Sequence, residues 1–132
     1  MSEINFPHPV STQKAPAAIG PYSQAIAVNG LLFVSGQLPL DPQTGEMVAG
    51  SIVDKAHQVM KNLKAIAEGA GSDLARVVKT TIFLKDMGNF AAVNGVYAGY
   101  FESAPPARST IQVAGLPKDA DMEIEAIVQL PE

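Results

Sequence analysis

Two periods of hydrophobic and polar residues run through the chain, and each predicts a different kind of element. Runs rich in β-branched, aromatic and other apolar residues predict strands. They cover Gln24–Val28, Leu31–Gly36, Arg76–Leu84, Ser109–Ala114 and Met122–Leu130. Asn29-Gly30 separates the first two runs, and an Asn-Gly pair between apolar runs is the strongest short signal for a β-hairpin.

Apolar residues recur at helical spacing in two other segments. The first helix is predicted to begin at Ser51, whose spacing to Asp54 is a weak match to a capping box, and Gly69 and Gly71 supply its end. The second runs from about Asn89 to Phe101. The resulting order, β-β-α-β-α-β-β, indicates an α+β fold in which two helices cover one face of the sheet.

The predicted strands are apolar on both faces. Leu32 and Val34 point one way while Leu31 and Phe33 point the other, and Arg76–Leu84 is similar. An uncovered apolar sheet face would be a patch that soluble monomers rarely tolerate. We therefore expect this second face to pack against copies of the same chain.

Two carboxylates lie on that second face of the last strand. Glu123 and Glu125 alternate there with apolar residues that face the other way. At or beside a subunit contact they need solvent or a cationic partner. Arg108 is a candidate partner, either within one subunit or across the contact.

Composition limits the classes of function. The chain has 132 residues, 47% hydrophobic and 17% charged, which suits one globular domain over 1–132; residues 1–14, with Pro7 and Pro9, are predicted to form an irregular N-terminal arm. A net charge of −4 and a pI of about 5.1 make nucleic-acid binding unexpected. The absence of cysteine excludes disulfides and a thiol nucleophile. Neither a signal-peptide pattern nor a membrane-spanning run is found, so a cytoplasmic protein is expected.

Arg108 is one of only two arginines, the other being Arg76. It follows Pro105-Pro106, which stiffen its approach to the next strand. A guanidinium is a planar fork of donors that fits a carboxylate or a phosphate. Arg108 is therefore either an anion anchor or an arginine at the rim with a solvated head.

Three other side chains have two interpretations each. Tyr22 follows a Gly-Pro bend and either directs its hydroxyl to a specific partner or packs a half-buried ring. Asn94 is either a brace from helix to loop or a ligand contact. His57 has no second His or Cys partner in its pattern, which favours an exposed or capped helix residue over a metal ligand.

Several motifs together resemble the RidA family, also called YjgF, of enamine/imine deaminases. The resemblance spans nearly the whole chain from Ala15 to Val128. It rests on residues 15–24 (APAAIGPYSQ), 34–37 (VSGQ), 79–84 (KTTIFL), 106–109 (PARS), 116–118 (LPK) and 123–126 (EIEA), together with Asn94 and Tyr97.

The resemblance implies a chorismate-mutase-like fold with a mixed sheet, a homotrimer and ligand clefts between subunits. It implies hydrolysis of 2-imino or enamine acids of the 2-aminoacrylate/2-iminopropanoate type to 2-keto acids and ammonia. We expect no metal or organic cofactor, because the sequence has no cysteine and offers no clustered ligands. Arg108 matches the residue that grips the substrate carboxylate, and Glu123 matches the one that positions water. The implied cleft lining is Tyr22, Ser35, Gly36 and Asn94.

Thr110 departs from the family pattern. Several members carry Cys at this position, so a thiol here is not required for the chemistry if this chain is active. A threonine hydroxyl can still contact a ligand.

Two other classes of function compete with a deaminase. One is a trimer that binds small carboxylates or regulates a partner without turnover. The other is an endoribonuclease or translation inhibitor, an activity attributed to some members of the family, against which the acidic pI counts.

Overall fold

The computed structural model describes residues 6–132 and contains one six-stranded sheet and two α-helices. The elements are β1 His8–Val10, β2 Ala25–Val28, β3 Leu31–Gln37, α1 Ile52–Gly69, β4 Val77–Leu84, α2 Phe90–Ala98, β5 Ala107–Gln112 and β6 Met122–Gln129. Short 3₁₀ turns lie at Leu74–Arg76, Met87–Asn89 and Pro117–Asp119. The predicted order of strands and helices is confirmed, with one additional strand at the start.

The strand order across the sheet is β1-β2-β3-β6-β4-β5. Only β4 and β5 are parallel neighbours, and the other neighbouring pairs are antiparallel. Because β3 and β4 both run antiparallel to β6, they run parallel to each other with β6 between them. Helices α1 and α2 make the two crossovers that such parallel strands require, and the sheet is mixed as the resemblance implied.

The expectation of an irregular arm over residues 1–14 is wrong at β1. His8, Pro9 and Val10 pair antiparallel with β2, and Pro9 lies opposite Ile26. Strand β1 is at the edge of the sheet, where a proline without an N–H is tolerated. The pairing with β2 thus overrides the local proline signal. Residues 1–5 of the predicted arm lie outside the described residues.

Local signals at the turns and helix starts are confirmed. Asn29 and Gly30 have φ values of 52° and 78°, the backbone of a tight hairpin turn. The Ser51 side chain accepts from the Asp54 amide while the Asp54 side chain accepts from the Ser51 amide. Helix α2, however, ends at Ala98 rather than at Phe101, with Gly99 following it.

The core lies between the helices and one face of the sheet. Alternate residues of each central strand and the apolar stripes of both helices are buried there, including Leu32, Val34, Val59, Leu63, Ile66, Ile82, Leu84, Val93, Tyr97, Ile124 and Val128. This packing buries only one of the two faces of the sheet.

Within the described residues 6–132, no helix lies on the opposite face, which we call the open face. Its residues are Phe33, Ser35, Lys79, Thr81, Phe83, Ser109, Ile111, Glu123, Glu125, Ile127 and Gln129. Phe33 and Ile111 are 42% and 46% exposed there. Four of the eleven side chains are apolar, namely Phe33, Phe83, Ile111 and Ile127. Apolar residues therefore reach the second face as predicted, among polar ones, and the coverage of this face by other copies stays a prediction.

Candidate functional site

Arg108 lies on the helix side of the sheet edge. Strand β5 begins at Ala107, two residues earlier than predicted, because parallel pairing with β4 starts directly after Pro106. Arg108 is opposite Thr80, which is 1% exposed and faces the core. Since register partners on neighbouring strands share a face, Arg108 extends toward helix α2.

Helix α2 holds the guanidinium by two kinds of contact. Arg108 Nη1 donates to Asn94 Oδ1 at 2.7 Å. Arg108 Cζ also lies 5.0 Å from the ring centroid of Tyr97 and 5.6 Å from that of Phe90, within cation–π range. We call these two rings the aromatic platform. Within residues 6–132 one hydrogen bond uses the fork, and a guanidinium has five donors.

Asn94 therefore connects helix α2 to strand β5, rather than to a loop as its brace interpretation required. Phe90 belongs to the second predicted helix, and Tyr97 in that helix is also one of the residues that carry the family resemblance. Their role as a platform could not be read from that pattern, because it depends on the pairing that places β5 beside α2.

Thr110 lies two residues beyond Arg108 and on the same face. Its Oγ1 is buried and has no hydrogen-bond partner within residues 6–132. Thr110 and Arg108 line a cavity of about 510 Å³ with Met87 and Phe90. Arg108 also borders a second cavity of about 400 Å³ on its other side, beside Pro105 and Phe101. An unsatisfied buried hydroxyl is costly, so Thr110 is suited to bond a ligand or a water.

Glu123 lies on the open face and covers Gly36. A methyl group added at Gly36 would overlap the Glu123 carboxylate, so the glycine makes room for this side chain. Burial raises the pKa of Glu123, and the nearby charge of Glu125 raises it further. The carboxylate thus has the environment of a proton acceptor whose affinity for protons exceeds that of an ordinary glutamate.

Ser35 lies on the open face, and Tyr22 is in the loop that precedes β2. Ser35 Oγ donates to the carbonyl of Ser23 at 2.5 Å, so this hydroxyl holds the loop that carries Tyr22. The buried Gln24 side chain binds the same loop to Thr12 and Pro16. Tyr22 is 54% exposed, so about half of this residue is covered within one chain.

Arg108 and Glu123 do not meet within one chain. They lie on opposite faces of the sheet, with β4 between their strands. Their register partners on β4, Thr80 and Phe83, are three positions apart. This places them about 10 Å apart along the strands and about 10 Å across them. An ion pair of Arg108 with Glu123 or Glu125 inside one subunit is therefore wrong, and the predicted site residues form two separate groups.

The first group is Arg108, Asn94 and Thr110 with the aromatic platform, and we call it the arginine half-site. The second is Glu123, Gly36 and Ser35, which also binds the loop that carries Tyr22, and we call it the glutamate half-site. The first presents a forked cation suited to an anion, and the second presents a carboxylate with a raised pKa suited to accepting a proton.

A family model described as Endoribonuclease L-PSP matches residues 12–130. The chain belongs to this family, which includes the RidA deaminases. It is 52% identical to the mouse 2-iminobutanoate/2-iminopropanoate deaminase over 89% of this chain and 87% of that protein. It is 56% identical to the RutC family protein y4sK of Sinorhizobium fredii, over 92% and 97% of the two chains.

A solved structure of Escherichia coli TdcF with bound serine has the same fold. It superposes with a TM-score of 0.88 at 42% identity, over 94% of this chain and 99% of that one. Within residues 6–132, no helix of this L-PSP/RidA family member is long and apolar enough to cross a membrane.

Proposed function

We propose that this protein hydrolyses 2-imino acids, of the 2-iminobutanoate/2-iminopropanoate type, to 2-keto acids and ammonia. The observation that carries the proposal is the arginine half-site. Arg108 is held by Asn94 and the aromatic platform beside two cavities, with donors left for a carboxylate. The name of the mouse relative, at 52% identity, supports this substrate class.

The reaction needs few groups, because a protonated imine carbon is already electrophilic. Water attacks that carbon and forms a C–O bond while the π electrons of the C=N bond move to nitrogen. One proton of the water leaves to a base, which yields a carbinolamine. After proton transfer to nitrogen, an oxygen lone pair forms the C=O bond while the C–N bond breaks and ammonia departs. The hydroxyl proton then leaves to the base, and the 2-keto acid remains.

Arg108 would bind the substrate carboxylate and so fix the imine carbon in space. Glu123 would take the proton of the attacking water and return it to the leaving nitrogen. Its raised pKa favours both transfers, since a stronger base accepts the proton more readily and still releases it to an amine. We propose that Thr110, Ser35 and Tyr22 line the same cleft without transferring protons.

The two half-sites lie on opposite faces of one chain, so a cleft that contains both requires two copies. We propose a homotrimer in which the open face is buried and each cleft joins the arginine half-site of one subunit to the glutamate half-site of a neighbour. The exposed Phe33 and Ile111 on the open face support this burial. Light scattering coupled to gel filtration tests it, and a monomer at micromolar concentration would contradict it.

The test of the reaction is a panel of imines generated in situ from amino acids, with the purified protein and no added metal or cofactor. We expect accelerated release of 2-oxobutanoate or pyruvate with an equal amount of ammonia. Prolonged chelation and dialysis should leave turnover unchanged. We further propose a cytoplasmic location, where such imines form during amino-acid metabolism.

A small-carboxylate binding or regulatory protein is the second candidate, because the related TdcF structure contains bound serine. Saturable binding of serine or 2-oxobutanoate without turnover of any imine would favour it. The description of the family model as an endoribonuclease makes RNA cleavage a third candidate activity. The net charge of −4 counts against it, and RNA binding that weakens steeply with salt, with cleavage that survives repurification, would support it.

A further inference from the structure

Tyr97 makes two contacts beyond its packing in the core, one through its ring face and one through its hydroxyl. Its ring lies under the guanidinium of Arg108, with Cζ 5.0 Å from the ring centroid. Its hydroxyl lies 2.6 Å from Thr80 Oγ1. Tyr97 and Thr80 are 4% and 1% exposed, so water does not compete for this hydrogen bond.

The partner of the hydroxyl is the residue directly opposite Arg108. Thr80 of β4 and Arg108 of β5 are register partners in the parallel pair. Three contacts therefore link Thr80, Arg108 and Tyr97 to one another. Strand pairing joins Thr80 to Arg108, the Tyr97 hydroxyl bonds to Thr80, and the aromatic face of Tyr97 contacts the guanidinium of Arg108. The aromatic ring of Tyr97, on which the guanidinium lies, is therefore held beside the backbone of Arg108.

We propose that the Thr80–Tyr97 hydrogen bond makes Tyr97 a positioning residue that sets the plane of the Arg108 guanidinium for bidentate binding of a carboxylate. This rests on the proposed anchor role of Arg108. The ring of Phe101, 4.8 Å from that of Tyr97, packs beside it, and Asn94 holds the guanidinium at Nη1. The hydroxyl of Tyr97, bonded to Thr80, fixes the depth and the tilt of the Tyr97 ring.

A phenylalanine at position 97 would keep the aromatic face and lose the tether. A carboxylate held by both arms of a guanidinium depends on its plane, so the loss should appear in substrate binding. We expect Tyr97→Phe to weaken binding of 2-oxobutanoate, and to raise KM for 2-iminobutanoate, by about 3- to 10-fold, the value of one ordinary hydrogen bond. The kcat should change by less than about 2-fold, because anchoring acts on ground state and transition state alike.

Variants at both ends separate positioning from simple stability. Thr80→Val keeps the shape and removes the other partner, and it should weaken carboxylate binding as much as Tyr97→Phe. Thr80→Ser restores the hydroxyl and should recover most of that affinity, although it loses a buried methyl group. Tyr100→Phe removes a phenol that bonds to His57 outside the half-site, and it serves as the matched control with unchanged binding.

The double variant Tyr97→Phe with Thr80→Val gives the decisive comparison. Each single variant leaves one buried polar atom unpaired, whereas the double variant leaves neither, so its melting temperature should recover toward that of the wild type. A positioning role predicts that the affinity for 2-oxobutanoate, measured by calorimetry, stays as low as in the single variants. Affinity that recovers with stability, or wild-type affinity in Tyr97→Phe, would overturn the inference.

The same titrations distinguish this inference from the proposed function. A wild-type protein that binds 2-oxobutanoate but turns over no imine refutes the deaminase and leaves the tether to be judged by affinity. A wild-type protein that binds no small carboxylate refutes the anchor role of Arg108 and the tether with it.

Discussion

The two half-sites differ in how much of their structure one chain supplies. In the arginine half-site, the charged group is oriented by an amide and two aromatic rings, which are themselves packed in the core. In the glutamate half-site, Glu123 lies on an uncovered sheet face beside Glu125, a like charge that adds to the increase in its pKa. No cation neutralises either carboxylate within residues 6–132.

This contrast separates preorganisation from dependence on assembly. On the proposed account, the arginine half-site is ready to bind an anion as soon as the subunit folds, because its parts are on α2 and β5. The glutamate half-site destabilises the free subunit, because a partly buried carboxylate beside a like charge costs free energy. On the proposed account, neighbouring subunits cover that face, and the ligand lies between the two halves.

The largest expected effect comes from the glutamate half-site. Glu123→Gln preserves the shape and removes the base, so we expect kcat to fall by about 100- to 10,000-fold while binding of 2-oxobutanoate changes little. Glu125→Gln, on the same strand face, is the matched control and should retain turnover. Steady-state kinetics with 2-iminobutanoate decide between them, and collapse in the Glu125 variant alone would reverse the assignment.

The next effect belongs to the arginine half-site. Arg108→Lys keeps the charge but loses the fork, so about one charge-assisted hydrogen bond is lost and kcat/KM should fall by about 10- to 100-fold. Arg108→Ala should lose more, and the oligomer mass should be unchanged in both variants because Arg108 faces away from the open face. Wild-type turnover in Arg108→Ala would refute the anchor role, and loss of activity only through dissociation would make Arg108 structural.

A smaller effect tests the fit of Glu123 over Gly36. Gly36→Ala places a methyl group where the carboxylate lies, so Glu123 must move and kcat should fall by about 10-fold or more. The backbone at Gly36 is not left-handed, so the change acts through contact alone. Gly95→Ala, where added atoms meet open space, is the control, and it should raise the melting temperature slightly through helix propensity. Equal kcat in the two variants would contradict the placement of Glu123.

The smallest effect is on stability. A raised pKa means that the folded chain disfavours the charged form of Glu123. The resulting loss of folding free energy is absent below the ordinary pKa of glutamate, where Glu123 is protonated in both the folded and the unfolded state. It reaches its full size above the raised pKa. Glu123→Gln should therefore raise the melting temperature at pH 7 by about 1–3 °C and leave it nearly unchanged below pH 4. An increase of equal size at both pH values would contradict the assigned cause.

Local signals predicted most of the fold. The Asn29-Gly30 turn, the Ser51 cap and the alternation of β6 are each fixed by neighbouring residues, and the structure confirms them. Strand β1 and the early start of β5 were missed, because both depend on pairing with a distant strand rather than on the local pattern.

The candidate site could be predicted residue by residue but not as an arrangement. Arg108 and Glu123 were identified from the stiff approach, the paired carboxylates and the family motifs. Which face each occupies depends on the register with β4, and the contribution of Tyr97 depends on a hydrogen bond between residues 17 positions apart. Neither is encoded in a short stretch of sequence.

The most direct test of the central claim mixes two inactive variants. Arg108→Ala and Glu123→Gln are purified separately, exchanged into mixed oligomers at equal amounts and assayed with 2-iminobutanoate. If each cleft takes its arginine and its glutamate from different subunits of a trimer, random mixing should restore about one quarter of wild-type activity. The control mixes Arg108→Ala with the Arg108→Ala, Glu123→Gln double variant, which cannot form a complete cleft. No gain over the separate variants, with subunit exchange confirmed by mass, would contradict a site shared between two copies.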